Sequence, residues 1–224
     1  MADPAKWALA ATAYTKVTEY PPPKNTVYGY ARYKLAYVHW NSEEYGEAIE
    51  QFKEVIDHGN KFPKDNSAKQ LQKAARRDLV PVYAVAGDPK KAYNFFKPLS
   101  GDAGGEDEKT LDMLNELGLA YMDTGHYPEG IVLYEDLMSR DKGDRYCGYQ
   151  TQISQATQAM SSGDKVKIKK ELDEQLQVMS QFTKANHSKE SKHQCANDTA
   201  GLLSETGMSW HLEAVGTGGP RGRG

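Results

Sequence analysis

The chain has 224 residues and a formal net charge of -3, so nothing in its charge attracts it to nucleic acid or to an anionic membrane surface. Hydrophobic residues make up 38% and charged residues 26%, mean hydropathy is -0.75, and no apolar run approaches the roughly 20 residues of a membrane helix. That composition suits a water-soluble protein with much surface per residue, as in extended helical arrays.

The opening "MADPAKWALAATAY" lacks the cationic flank and apolar stretch of a secretory leader. "AATAYTKVTEYPPP" then predicts a helix with Ala10, Tyr14 and Val17 on one face, ended by prolines. "YGYARYKLAYVHW" (28–40) predicts a second helix carrying five aromatics, and "YGEAIEQFKEVI" a third. The loop "HGNKFPKDNSA" (58–68) precedes the helix "QLQKAARRDLVPVY". After the Gly87-Asp88 turn, "KKAYNFFKPL" predicts a further helix, followed by the loop "KPLSGDAGGEDEK" (97–109). Helical patterns resume in "ELGLAY", "YPEGIVLYEDLM", the segment after Cys147, and "SSGDKVKIKKELDEQL". "NHSKESKHQC" reads as a polar linker, residues 193–213 as a last helix, and the glycine-rich end as an unstructured tail.

Two of these segments are copies. "LAYVHWNSEEYGEAIEQFKEVI" from Leu35 and "LGLAYMDTGHYPEGIVLYEDLM" from Leu117 align without a gap. Leu35 matches Leu117, Ala36 matches Gly118, Tyr45 matches Tyr127 and Ala48 matches Gly130. Ile49, Phe52 and Val55 match Ile131, Tyr134 and Leu137. Small residues fall where two helices must approach closely, with large ones at helical spacing beside them. The small position recurs at 10, 48, 92, 130 and 168, at intervals of 38, 44, 38 and 38 residues.

The pattern L-G/A, Tyr, turn, Y-x-x-A-I-x-x-F/Y resembles the tetratricopeptide repeat, whose standard period is 34 residues. The longer period resembles the repeats of bacterial cell-envelope members of that family. The resemblance implies an all-α, right-handed superhelical solenoid of antiparallel helix pairs. It covers residues 1–186 as about five units, the first incomplete and so like a piece of a longer array. Residues 187–213 would be a linker and capping helix, and 214–224 a flexible tail. In such repeats the first helix of each pair lines a concave surface. Tyr30, Tyr33, Tyr37 and Trp40, at spacings of 3, 4 and 3, form one stripe of such a helix, apart from the face carrying Leu35, Ala36 and His39. The stripe either fills gaps between repeats or anchors a protein or peptide partner, for which tyrosine and tryptophan are suited. Arg76 and Arg77 on the next first helix are expected to join it. The carboxylate clamp of chaperone adaptors needs Lys and Asn where this chain has Tyr33, Tyr37, Arg77 and Pro81.

No nucleotide-binding, zinc-protease or hydrolase-elbow motif occurs, so no catalytic residue, cofactor or metal is expected. His187, His193 and Cys195 are the one grouping with the residue types of a metal site. The expected function is a non-enzymatic scaffold in a bacterial envelope complex. The alternatives are a cytosolic adaptor, or an enzyme or metal-dependent protein on the same scaffold. Cys147 and Cys195 fall at equivalent positions of two consecutive first helices, each near its helix's N-terminal end. They are expected to form a disulfide, which places the chain in the periplasm rather than the cytoplasm. The same overlay puts Leu203 and Ser204 at the helix-packing positions of the last helix.

Overall fold

The computed structural model describes residues 4–216 except 104 and 106; the expected tail beyond 216 lies outside the described residues. Among the described residues there are ten α-helices, a single 3-10 turn at Pro89–Lys91 and no strand. Among the described residues no helix is long and apolar enough to cross a membrane. The chain divides into two compact units, Met1–Thr124 and Gly125–Gly224.

The first unit holds α1 (Pro4–Thr18), α2 (Tyr28–Asn41), α3 (Tyr45–Lys61), α4 (Asn66–Ala86), α5 (Ala92–Phe96) and α6 (Glu108–Asp123). Helix α2 packs on α1, α3 and α4, α3 also packs on α4, and α4 and α5 pack on α6. The second unit holds α7 (Tyr127–Arg140), α8 (Tyr146–Met160), α9 (Lys165–Lys184) and α10 (Lys189–Ala214). Each packs on the next, and α8 also touches α10. Both units therefore bring a helix against the next and against the next but one. Short connections force consecutive helices to fold back on each other.

The recurrence seen in the sequence is repeated in burial. Ala48, Ala92, Gly130 and Ile168 are all buried, and so is the large residue four positions on, Phe52, Phe96, Tyr134 and Leu172. The two aligned copies match position by position: Leu35/Leu117, Ala36/Gly118 and Val55/Leu137 are buried, and Ile49/Ile131 half-buried. Ala10 and Tyr14, the same pair on α1, are half-buried. The turn also repeats. Glu43 has φ 63° and Gly125 has φ 76°, and they are equivalent residues of the two copies. The left-handed conformation suits glycine, so Glu43 occupies a backbone state that disfavours a side chain.

Three expectations need correction. The helix after Gly87 is a stub of five residues, because Pro98 offers no N–H to extend the ladder and Gly101, at φ 78°, turns the chain away. Residues 189–192, expected as linker, are the first turn of α10. The Ser188 side chain accepts from the Ser191 N–H and Glu190 sits in the first turn, so a polar string that looks like a linker is a cap. Cys195 consequently lies in the second turn of α10, and the buried positions of that helix are Cys195, Thr199, Leu202 and Thr206; of the two expected packing positions, Leu203 is half-buried against Ile168, Leu172 and Leu202, whereas Ser204 is exposed. The equivalents on α8, Cys147, Thr151 and Ser154, are also buried.

Three substitutions check this reading. Phe52→Ala empties a fully buried ring site and is expected to lower stability by about 3–5 kcal/mol in denaturant unfolding. Gly125→Ala is expected to cost about 1 kcal/mol although its Cβ meets no atom within 4 Å, since the penalty is conformational. Glu43→Gly should be neutral or stabilising.

Candidate functional site

The aromatic stripe of α2 separates into two parts. Tyr33, Tyr37 and Trp40 gather around Phe52 of α3, each ring edge-on to it at centroid distances of 5.9, 5.8 and 6.4 Å. Tyr37 also contacts Tyr33 at 5.2 Å and Trp40 at 5.5 Å. All three are half-buried, with Phe52 closing the cluster from below. Tyr30 stands outside the cluster, 49% exposed, with the Lys34 Nζ 5.3 Å from its ring centre.

The two phenols meet a residue that the sequence did not single out. Asp78 of α4 is 6% exposed, and its Oδ2 accepts from Tyr33 Oη at 2.5 Å and Tyr37 Oη at 2.7 Å. Its Oδ1 accepts from Arg77 Nε at 2.7 Å. Burial alone pushes the Asp78 carboxyl up, but the bonds from Arg77, Tyr33 and Tyr37 outweigh it and hold the group below the usual range. Burial first, and then the bond to Asp78, raises the Tyr33 hydroxyl; Tyr37 is raised mainly by burial. Both phenols therefore stay protonated and donate to Asp78, and their oxygens stand 3.5 Å from one another. A signal existed in "RRDLVPVY", where one acid is followed directly by an apolar run on a face that helical spacing sends inward.

The arginines also separate. Arg77 is 70% exposed along its side chain although its Nε is paired with Asp78. Arg76 is tied elsewhere, its Nε donating to the Leu99 carbonyl at 2.6 Å and its guanidinium lying against Gly101. Of the six expected binding residues, Tyr33, Tyr37 and Arg77 meet at Asp78, Trp40 joins them through the Tyr37 ring, and Tyr30 and Arg76 do not join them. The arrangement presents stiff apolar ring surface, two half-buried phenols and one guanidinium, with no activated nucleophile among the described residues of the cluster.

In the second unit Cys147 and Cys195 stand at disulfide-bonding distance, with Cα atoms 5.7 Å apart. Phe182 packs against them, and Tyr146, Val178 and Met179 surround the group. Beside them Gln175, fully buried on α9, donates from Nε2 to Thr151 Oγ1 at 3.2 Å and Thr199 Oγ1 at 2.8 Å. Each threonine donates in turn to the carbonyl four residues earlier, that of Cys147 and of Cys195. His187 is stacked on Phe182 at 3.9 Å and pairs with Asp144, so it is engaged apart from His193, which contacts Asn197.

Comparison of the sequence with known protein families and with curated proteins gives no match.

Acid should loosen the first unit. Asp102 is held down to about 2: burial pushes it up, but bonds from the Thr110 hydroxyl, the Lys109 and Thr110 amides and Ser100 prevail. Both Asp78 and Asp102 are depressed in the folded chain, so their stabilisation is complete above the ordinary aspartate value of 3.8 and is lost as pH falls below it. Urea midpoints are expected to fall between about pH 4 and pH 2, and Asp102→Asn should flatten that slope.

Proposed function

We propose that this chain is a tetratricopeptide-like interaction module that binds an extended peptide or a protein segment across the face of Tyr33, Tyr37, Trp40 and Arg77. The observation that carries the reading is the buried Asp78 carboxylate holding two phenols at 2.5 and 2.7 Å. Rings fixed in this way lose little freedom when a partner docks, which is how a binding surface limits its entropic cost. Antiparallel helix pairs in a superhelical solenoid are the architecture proposed here, supported by the recurring buried pairs and by the next-but-one helix contacts in each unit.

The charge of the site bears on the partner. Arg77 and Asp78 largely offset one another, so the surface is no strong trap for acidic segments. Apolar and aromatic partner residues suit it better. Neither catalysis nor a cofactor is part of this proposal. A bridge between Cys147 and Cys195 supports residence in an oxidising compartment, and the longer repeat period supports a bacterial envelope complex.

Selection of a random peptide display library on the intact chain tests the site. Enriched peptides are expected to lose at least about 30-fold in affinity on Tyr37→Ala with Trp40→Ala, the loss of about 2 kcal/mol that marks a hot spot. Far-ultraviolet circular dichroism of the variant must stay helical. Undiminished binding by a folded double variant overturns the reading.

A further inference from the structure

The bridge proposed between Cys147 and Cys195 has different surroundings on its two sides. On the inner side lie Phe182, Val178 and Met179. On the outer side a cavity of about 340 Å³ is lined by both cysteines together with Asp144, Arg145, Glu190 and Asp198. Each cysteine is nearly closed to bulk water, 2% and 3% exposed, so the cavity is the approach to the sulfur atoms.

The two sulfurs are also unequal as leaving groups. Cys147 is the second residue of α8, and the N-terminus of that helix has no side-chain cap. Among the described backbone bonds at this end, Tyr146 and Tyr149 donate to Gly143 and Arg145, and none is made by the Cys147 or Gly148 N–H. First-turn N–H groups and the helix dipole stabilise a thiolate at that position, and Arg145 lines the same cavity. Cys195 is seven residues into α10, whose N-terminus is already capped by Ser188. The better leaving sulfur is therefore that of Cys147.

Given the bridge, we infer that this pair is a thiol-exchange site that opens from the cavity, with attack at Cys195. An incoming thiolate forms a bond to Cys195 Sγ, the bond between the two cysteines breaks, and its electron pair leaves on Cys147 Sγ as thiolate. The second thiol of a dithiol reductant then displaces Cys195 Sγ, which leaves as thiolate and takes a proton from water. The protein disulfide is reduced by two electrons and the dithiol becomes a disulfide. The rim selects the reductant. Asp144, Glu190 and Asp198 outnumber Arg145, so cationic or neutral thiols enter more readily than anionic ones. Once the bridge is open, α10 is held by Leu202 against Ile168 and Leu172 and by the Gln175 bonds, and its fluctuations away from α8 and α9 increase.

Thiol counting in denatured, unreduced protein comes first, and two free thiols end both the bridge and this inference. With the bridge present, native protein is treated with cysteamine, β-mercaptoethanol or mercaptoethanesulfonate at low salt, quenched in acid and mapped by mass spectrometry. Rates are corrected for the intrinsic reactivity of each thiol. The expected order is cationic, neutral, anionic, with the first adduct on Cys195. Glu190→Gln with Asp198→Asn should speed the anionic thiol about threefold to fivefold and narrow the order. Hydrogen exchange should show α10 losing protection after reduction by dithiothreitol. Adducts mainly on Cys147, no charge order, reduction only after unfolding, or unchanged protection in α10 would each overturn the inference.

Discussion

The buried pair of Ala48 and Phe52, one turn apart on α3, is the constraint on which the first unit rests. Helices of this length are marginal alone and gain their stability by covering an apolar stripe. Ala48 and Phe52 are both fully buried, a side chain of one carbon beside a large ring, the pairing that lets neighbouring helices pack without a void. The same small-and-large pair recurs at Ala92 and Phe96 and at Gly130 and Tyr134, while Ile168 and Leu172 hold the equivalent buried positions with two large side chains, and in this way a chain with modest apolar content buries an interior in each unit. Phe52 also supports the surface, because the rings of Tyr33, Tyr37 and Trp40 rest edge-on against it. Packing and presentation thus use one residue for two purposes.

How much of this was legible in the sequence depends on whether a feature repeats. The pairing of small and large residues recurs, so its phase could be read, and burial follows that phase from Ala48 to Leu172. Features that occur once were harder. Asp78 is a single acid in a run of arginines and apolar residues, and its role follows from two tyrosines 45 and 41 positions away. The start of α10 was hidden because serine, lysine and glutamate serve equally in linkers and in helix caps, and only the Ser188 bond to Ser191 distinguishes them. Tyr30 and Arg76 share sequence spacing with their neighbours, but spacing assigns a face and cannot assign a partner. Arg76 turns to the Leu99 carbonyl, which a loop of unforeseen shape supplies.

The charge balance at Asp78 sets the character of the surface. A buried carboxylate without partners would protonate or disrupt its surroundings, whereas three donors keep it ionised and in place. Because Arg77 supplies one of those donors, its charge is largely spent locally. Binding at this face is therefore expected to respond weakly to salt and strongly to ring shape, the reverse of an acidic-peptide clamp.

Gln175 has a consequence for how α8 and α10 are indexed. Its one amide nitrogen reaches Thr151 and Thr199, which are as far apart in sequence as Cys147 and Cys195, while its carbonyl oxygen is buried without a donor. An apolar side chain there would tolerate either helix sliding by a turn, since grease meets grease at every offset. The amide does not, because its two hydrogens need two hydroxyls side by side. Gln175 works as a vernier mark, giving up some stability for the one alignment in which the sulfur atoms meet.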